Sequence, residues 1–225
     1  MCGRFQIVNN QKSRKLLNQL DVPGAQILYS HDKAPGSKIS IIHREGNQNK
    51  VSTALWWLLI DADTGKPNYK YATFNSRSDK LNVPRSVAYK PFRESRCIIP
   101  ATAFIEGKGD KKTYHKIELD EEAIAFGGLH RVTLNKVTGE LIHSASIITL
   151  PPLDEWKQIH PGSMPLMLPV ENKQLINQWL APGFQDVEVF NDLLIPRILQ
   201  TQRLTPIEKP SLWNETDKSF LIHAS

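Results

Sequence analysis

The sequence contains no apolar run able to cross a bilayer. The longest, Thr53-Ala54-Leu55-Trp56-Trp57-Leu58-Leu59-Ile60, falls far short of the roughly 20 residues that a spanning helix needs. The opening Met1-Cys2-Gly3-Arg4-Phe5-Gln6 has no apolar stretch of signal-peptide type, so a cytoplasmic protein is expected. There are only two cysteines, Cys2 and Cys97, and in a reducing compartment no structural disulfide is expected between them. Neither Cys-x-x-Cys nor His-x-x-x-His spacing occurs, which excludes the common metal sites; no metal and no cofactor are expected. Internal repeats, low-complexity tracts and long linkers are missing too. Clustered charge is absent: 28 Lys+Arg against 23 Asp+Glu leave a formal +5 that is scattered along the chain. That balance permits an anionic partner such as nucleic acid without demanding one.

What is present is a chain of 225 residues, ample for a sizeable core. Short β-rich runs dominate up to about residue 150: Ile39–Ile42, Thr53–Ile60, Cys97–Ile99, Thr113–Leu119, Ala123–Phe126 and Ser144–Leu150. Turn signals separate them at Gly46-Asn47, Thr64–Pro67, Gly107–Asp110 and Thr138-Gly139. Leu16, Leu17 and Leu20 at helical spacing after Ser13 predict a short helix with Ser13 as its cap, and Val170–Leu180 predicts a second. Strands do not alternate with long helices, which argues against a parallel βαβ design. The expected fold is α+β: one domain over residues 1–225, with a mainly antiparallel, barrel-like β core and a few peripheral helices. Residues 181–225 are expected to pack on it as an extension. Trp56-Trp57 and Cys97 are read as core residues, Cys97 as an inert thiol.

The chemistry-bearing feature is Cys2. A cysteine after the initiator is left at the amino terminus when Met1 is removed, and then carries an amine and a thiol on neighbouring carbons. With an α-amino pKa of about 7.7–8.0 and a thiol pKa of about 8.5, both reactive forms are accessible near neutrality. Two reactions follow. The thiolate can attack an amide with the amine as base. Alternatively, the amine condenses with an aldehyde and the thiol closes the imine into a five-membered thiazolidine, a step that proximity favours. An ordinary small residue at a frayed end is the third reading. Gly3 permits close backbone approach to a ligand, and Arg4 can hold an anion beside the nucleophile.

Six pieces in order carry a resemblance. They are Met1-Cys2-Gly3-Arg4-Phe5, Ala34-Pro35-Gly36, Asn75-Ser76-Arg77-Ser78-Asp79, and Arg96-Cys97-Ile98-Ile99-Pro100-Ala101 with Phe104-Ile105-Glu106. Phe126–Leu129 with Ile147–Thr149, and Ile159-His160 leading to Met164-Pro165-Leu166, complete the set. Over roughly residues 1–180 the chain resembles the SOS-response-associated peptidase (SRAP) proteins, which process abasic sites in DNA. The resemblance implies a compact β-rich domain that binds single-stranded DNA and captures the ring-opened abasic sugar as a thiazolidine on Cys2. It also implies autoproteolytic exposure of that cysteine as a second activity. The implied partner is single-stranded DNA containing abasic sites, with a monomeric protein that is nucleoid-associated when bound.

The matching residues acquire roles by that resemblance. Cys2, Asn75, Glu106 and His160 form the candidate catalytic set, and Arg4, Arg77, Arg85 and Pro35 the candidate DNA contacts. Glu106 suits a general acid/base, with a pKa raised by its apolar neighbours Phe104 and Ile105. His160 titrates near working pH, and Asn75 can orient an amine or hydroxyl. Taken singly, each also reads as an ordinary loop, turn or surface residue. Departures are visible: Gly107 stands where many members have tryptophan, which leaves Tyr69 or Tyr71 as a base-stacking platform. His160-Pro161-Gly162-Ser163-Met164-Pro165 has one residue more than the family's pattern and lacks its arginine. Trp57 replaces a glycine, and Asp79 a glutamate. Two other classes stay open: an N-terminal-nucleophile cysteine amidase acting on a small amide, and a non-catalytic nucleic-acid-binding module.

Overall fold

The computed structural model describes residues 2–224. In chain order its strands are β1 (Arg4–Ile7), β2 (Ser30–Lys33), β3 (Lys38–Glu45), β4 (Gln48–Leu55), β5 (Asn75–Arg77), β6 (Arg96–Ala101) and β7 (Ala103–Gly107). They continue with β8 (Tyr114–Leu119), β9 (Ile124–Leu134), β10 (Leu141–Leu150), β11 (Met164–Pro165), β12 (Gln202–Ile207) and β13 (Phe220–Ile222). The α-helices are α1 (Gln11–Gln19), α2 (Tyr89–Glu94) and α3 (Lys173–Leu180).

Five strands close a barrel. β3 and β4 form a hairpin around Gly46-Asn47, with Gly46 at φ +59°, a conformation glycine adopts without steric cost. β3 pairs with β6, β6 with β9 and β9 with β10, all antiparallel. A single parallel contact, Ser144↔Leu55, joins β10 back to β4. The second sheet runs β13-β12-β8-β7-β1-β2. The chain passes from barrel to outer sheet at one residue, Thr102, which separates β6 from β7. Its amide donates to Gln6 O at 2.8 Å. The α+β fold with a mainly antiparallel barrel is therefore present, and β12 brings residues 202–207 into the outer sheet beside β8.

Side-chain volume explains the closure. Trp56, Trp156, Trp179, Phe5, Phe92, Phe104, Phe126 and Phe190 are all fully buried, each contributing about 1.5–3 kcal/mol by leaving water. The local structure departs from the sequence expectations at three places. Strand β4 ends at Leu55 rather than Ile60, because Trp56 Nε1 donates to Phe74 O (2.9 Å) and the Leu58 amide to Thr73 O (3.0 Å). That irregular segment thereby anchors residues 73–74, immediately before β5. Helix α1 is capped by Asn10, not Ser13; Ser13 sits at the third helical position and returns the bond in a capping box. Helix α3 begins at Lys173 because Asn172 accepts from the Leu175 amide, while Val170 is buried ahead of it.

Arg96 holds the helices to the barrel. Its guanidinium, 2% exposed, donates to Phe92 O (2.6 Å) and Arg93 O (3.0 Å) on α2. It also reaches Gln178 O, Trp179 O, Ala181 O and Phe184 O at and beyond the end of α3. Four of these carbonyls belong to the last turns of α2 and α3, where a helix leaves acceptors over and a cation is favoured. Burial pulls Arg96 down only to about 10, so it stays charged at neutrality. Arg96→Leu strands four of the six carbonyls, since Gln178 O and Ala181 O still accept from the Ala181 and Phe184 amides. We expect a loss of about 3 kcal/mol or more in urea unfolding; a loss under about 1 kcal/mol would show the carbonyls find other donors.

Candidate active site

The register of β1 on β7 builds the site. Arg4 lies opposite Ile105 and Phe5 opposite Phe104, so the residues just before Arg4 reach the level of Glu106 and Gly107. Phe5 locks that register, packing at 4.9 Å on Trp56 and 6.1 Å on Phe126. Cys2 is a free thiol with no solvent exposure. Burial, and then the neighbouring Glu106 carboxylate, push it well above the ordinary thiol range, so it is held as S–H. Met1 lies outside the described residues.

Asn75 arrives from β5, which pairs parallel to β10 and is pinned by a buried Ser76–Ser146 hydroxyl bond of 2.7 Å. Its Nδ2 donates to Cys2 O at 2.9 Å. Its Oδ1 is buried without a partner among the described residues and can accept from a bound hydroxyl or amine.

Glu106 is 2% exposed. Desolvation raises its carboxyl to about 7, the range in which an acid/base works at neutral pH. His160 Nδ1 lies 3.6 Å from Glu106 Oε2 and donates to Gly107 O at 2.6 Å. Burial lowers the imidazole below its usual value, so the neutral ring carries its proton on Nδ1. The loop bearing it is tied by Trp156, whose backbone carbonyl accepts from the His160 amide and whose indole donates to Ser163 O.

Four candidates therefore come together: Cys2, Asn75, Glu106 and His160. The proposed DNA contacts divide. Arg4 lines an open cleft of about 310 Å³ with Gly3, Glu106, Gly107, Lys111, Tyr114 and His160, and forms an ion pair with Asp32. Arg77 lines a second cleft of about 300 Å³ beside Thr149, Gly162 and Ser163; its fork is held by Asp79 through two 2.9 Å bonds. Arg85 is exposed and Pro35 half-buried, and neither lines a cleft with the Cys2 set. Tyr69 and Tyr71 are exposed and also lie outside both clefts.

Two residues escaped the sequence reading. Thr149, opposite Arg77 in the β5–β10 register, and Ser163 both carry buried hydroxyls without partners among the described residues and line the second cleft. Thr149 sat within a quoted motif, but only the strand register shows that it faces Arg77. Among the described residues no group of His, Cys, Asp or Glu is placed to hold a metal ion, and no helix is long and apolar enough to cross a membrane.

Residues 1–209 match the SOS response associated peptidase (SRAP) family. This chain belongs to that family. It is 30% identical to abasic site processing protein YobE of Bacillus subtilis over 204 residues, covering 87% of this chain and 89% of the relative. Abasic site processing protein YoqW of Bacillus phage SPbeta is likewise 30% identical, covering 87% of each. Among solved structures, a Bordetella bronchiseptica protein matches with TM-score 0.66 at 21% identity, covering 87% of this chain and 94% of that one. One from Bacteroides thetaiotaomicron matches with TM-score 0.62 at 22% identity, covering 86% of each. At such identities the structural likeness is one of fold.

The SRAP carboxylate has a stability consequence. Glu106 ionises near 4.5 when unfolded and near 7 when folded, so between those values the native state binds more protons and stability falls as pH rises. Glu106→Gln removes that slope. The variant should gain up to about 3 kcal/mol over the parent above pH 7 and little at pH 4.5, measured by urea unfolding across pH. Parallel pH profiles for the two proteins would show that Glu106 is not desolvated.

Proposed function

We propose that this protein processes abasic sites in single-stranded DNA by capturing the ring-opened sugar covalently on Cys2, after Met1 has been removed. The observation that carries this reading is the junction of a buried Cys2 with Asn75, Glu106 and His160. The curated relatives are named abasic site processing proteins, which supports abasic sites as the substrate class.

The chemistry balances without oxidant or metal. The Cys2 amine adds to the sugar aldehyde to give a carbinolamine. Protonated Glu106 donates to the departing hydroxyl, water leaves and the imine forms. The thiol S–H then adds across the C=N bond: sulfur bonds carbon, and the proton passes by way of the Glu106 carboxylate to nitrogen. Aldehyde plus aminothiol gives thiazolidine plus water. Asn75 holds the Cys2 carbonyl and offers Oδ1 to the carbinolamine hydroxyl. His160 moves a proton between sugar oxygens as the furanose opens. A thiol kept protonated suits imine capture better than thiolate attack on an amide, which favours this reading over an amidase. Arg4 and Arg77, with the Thr149 and Ser163 hydroxyls, supply phosphate contacts on either side of the sugar.

Intact mass spectrometry after incubation with single-stranded DNA bearing one abasic site tests the reading. The expected product is a heat-stable adduct lacking Met1, formed at a stoichiometry of one and absent in Cys2→Ala. Glu106→Gln should slow its formation by about 100-fold, and the parent's rate should fall as pH rises through about 7. Mature protein beginning at Cys2 that gives no adduct would overturn the proposal.

A further inference from the structure

One aromatic ring in the cleft lined by Glu106 and His160 has no part in the chemistry just described. Tyr114 opens β8, directly opposite Gly107 in the β7–β8 register. A side chain at Gly107 has no room, since a Cβ built there would stand 2.6 Å from Tyr114 Cδ1 and 2.8 Å from Cε1. The Tyr114 ring thus lies directly over the backbone of the residue that follows Glu106, and it lines the same cleft as Arg4, Glu106 and His160. It is half-buried rather than covered.

The hairpin that carries it is built to hold a fixed shape. Asp110 accepts from the amides of Lys112 (2.9 Å) and Thr113 (2.8 Å) and from the Thr113 hydroxyl (2.7 Å). The Lys108 amide donates to Thr113 O at 3.0 Å. Lys111, at the rim of the cleft, is kept at φ +61°, a conformation few residues with a side chain adopt. A half-buried aromatic ring in a cleft that Arg4 and Lys111 also line, beside the proposed trap for a base-less sugar, matches the needs of a nucleotide neighbouring that sugar. The base stacks, and its phosphate meets the cations.

We propose that Tyr114 is the stacking surface for the base adjoining the abasic site, and so sets a requirement for a flanking base in the strand that is captured. The inference rests on the function proposed above. It concerns recognition of the neighbour rather than bond formation, and makes Tyr114 a positioning residue.

The test compares two single-stranded oligonucleotides: one abasic site flanked by natural bases, and one flanked by base-less spacer units with the same phosphates. For the parent protein the flanked site should cross-link about tenfold faster at subsaturating DNA, the scale of one lost stack. In Tyr114→Ala that ratio should fall to near one, while Tyr114→Phe and Tyr114→Trp should keep it. A 2-aminopurine placed beside the abasic site should lose fluorescence on binding the parent, but not Tyr114→Ala. An unchanged ratio and unchanged quenching in a folded Tyr114→Ala protein would overturn this inference and leave the covalent reading standing. Absence of any Cys2-dependent adduct on either oligonucleotide would instead overturn the covalent reading.

Discussion

The pairing of β1 with β7 governs what the amino terminus can do. Four residues of strand, Arg4–Ile7, hold Cys2 beside the far end of β7, and chain ends this short fray unless something ties them down. The tie is Phe5, which inserts between Trp56 and Phe126 of the core and so prevents a slip along β7. A shift of one residue would turn Phe5 out of the core and carry Cys2 away from Glu106. Strand β7 is itself continuous with the barrel through Thr102. The position of the nucleophile is thus inherited, through about a dozen residues, from a closed and tightly packed barrel. Asn75 inherits its position in the same way, through β5 and β10 and through the bonds from Trp56 and Leu58 to residues 73–74.

Burial at this point acts on two groups at once. It lifts Glu106 to about 7 and lifts the Cys2 thiol still further above neutrality. Near pH 7 the thiol is therefore protonated and Glu106 about half protonated, whereas a thiolate nucleophile calls for a depressed pKa and a cationic neighbour. Here the side chain acting most on the sulfur is the Glu106 carboxyl, which opposes ionisation of the thiol. Condensation needs a proton donor for the departing water and a thiol that adds after the imine exists. The desolvation that makes Glu106 costly to the fold at alkaline pH also makes it a competent acid, a stability–function conflict of the kind expected at working sites.

The strand runs around Ile39, Cys97, Thr113, Ala123 and Ser144 were readable in the sequence because each alternates or concentrates apolar residues between clear turn signals. A barrel-like core was expected from those runs, but the pairing that closes it was not readable: one parallel contact between Ser144 and Leu55 leaves no local pattern. The run through Trp56–Ile60 misleads, since apolar content alone cannot separate a strand from an irregular segment whose indoles bond a neighbouring loop. Arg96 was visible within a motif, yet its six carbonyl partners come from segments brought together only in the fold. The candidate catalytic residues were legible by resemblance, and their order in the chain matched a known set. Thr149, Ser163 and Tyr114 were not, because their significance lies in register and cavity, and the sequence pointed instead to the exposed Tyr69 and Tyr71.

The charges around the site are already balanced, and that bears on how the protein would hold DNA. Arg4 is paired with Asp32, whose other oxygen accepts from the Trp213 indole at 3.3 Å, and Arg77 is clasped by Asp79. A phosphate reaching either arginine exchanges one anion for another instead of meeting a bare cation. Exposed pairs of this kind are worth little in water, so the exchange is feasible, but its net gain is small. With a formal charge of only +5 spread over the whole chain, non-covalent grip on undamaged strands should be weak and sensitive to salt. Under the proposed chemistry that weakness is functional. The protein samples DNA without dwelling on it, and residence becomes long only where an aldehyde allows the Cys2 amine and thiol to close a ring. Discrimination between damaged and intact strands then resides in bond formation, while stacking and phosphate contacts need only hold the sugar within reach of Cys2.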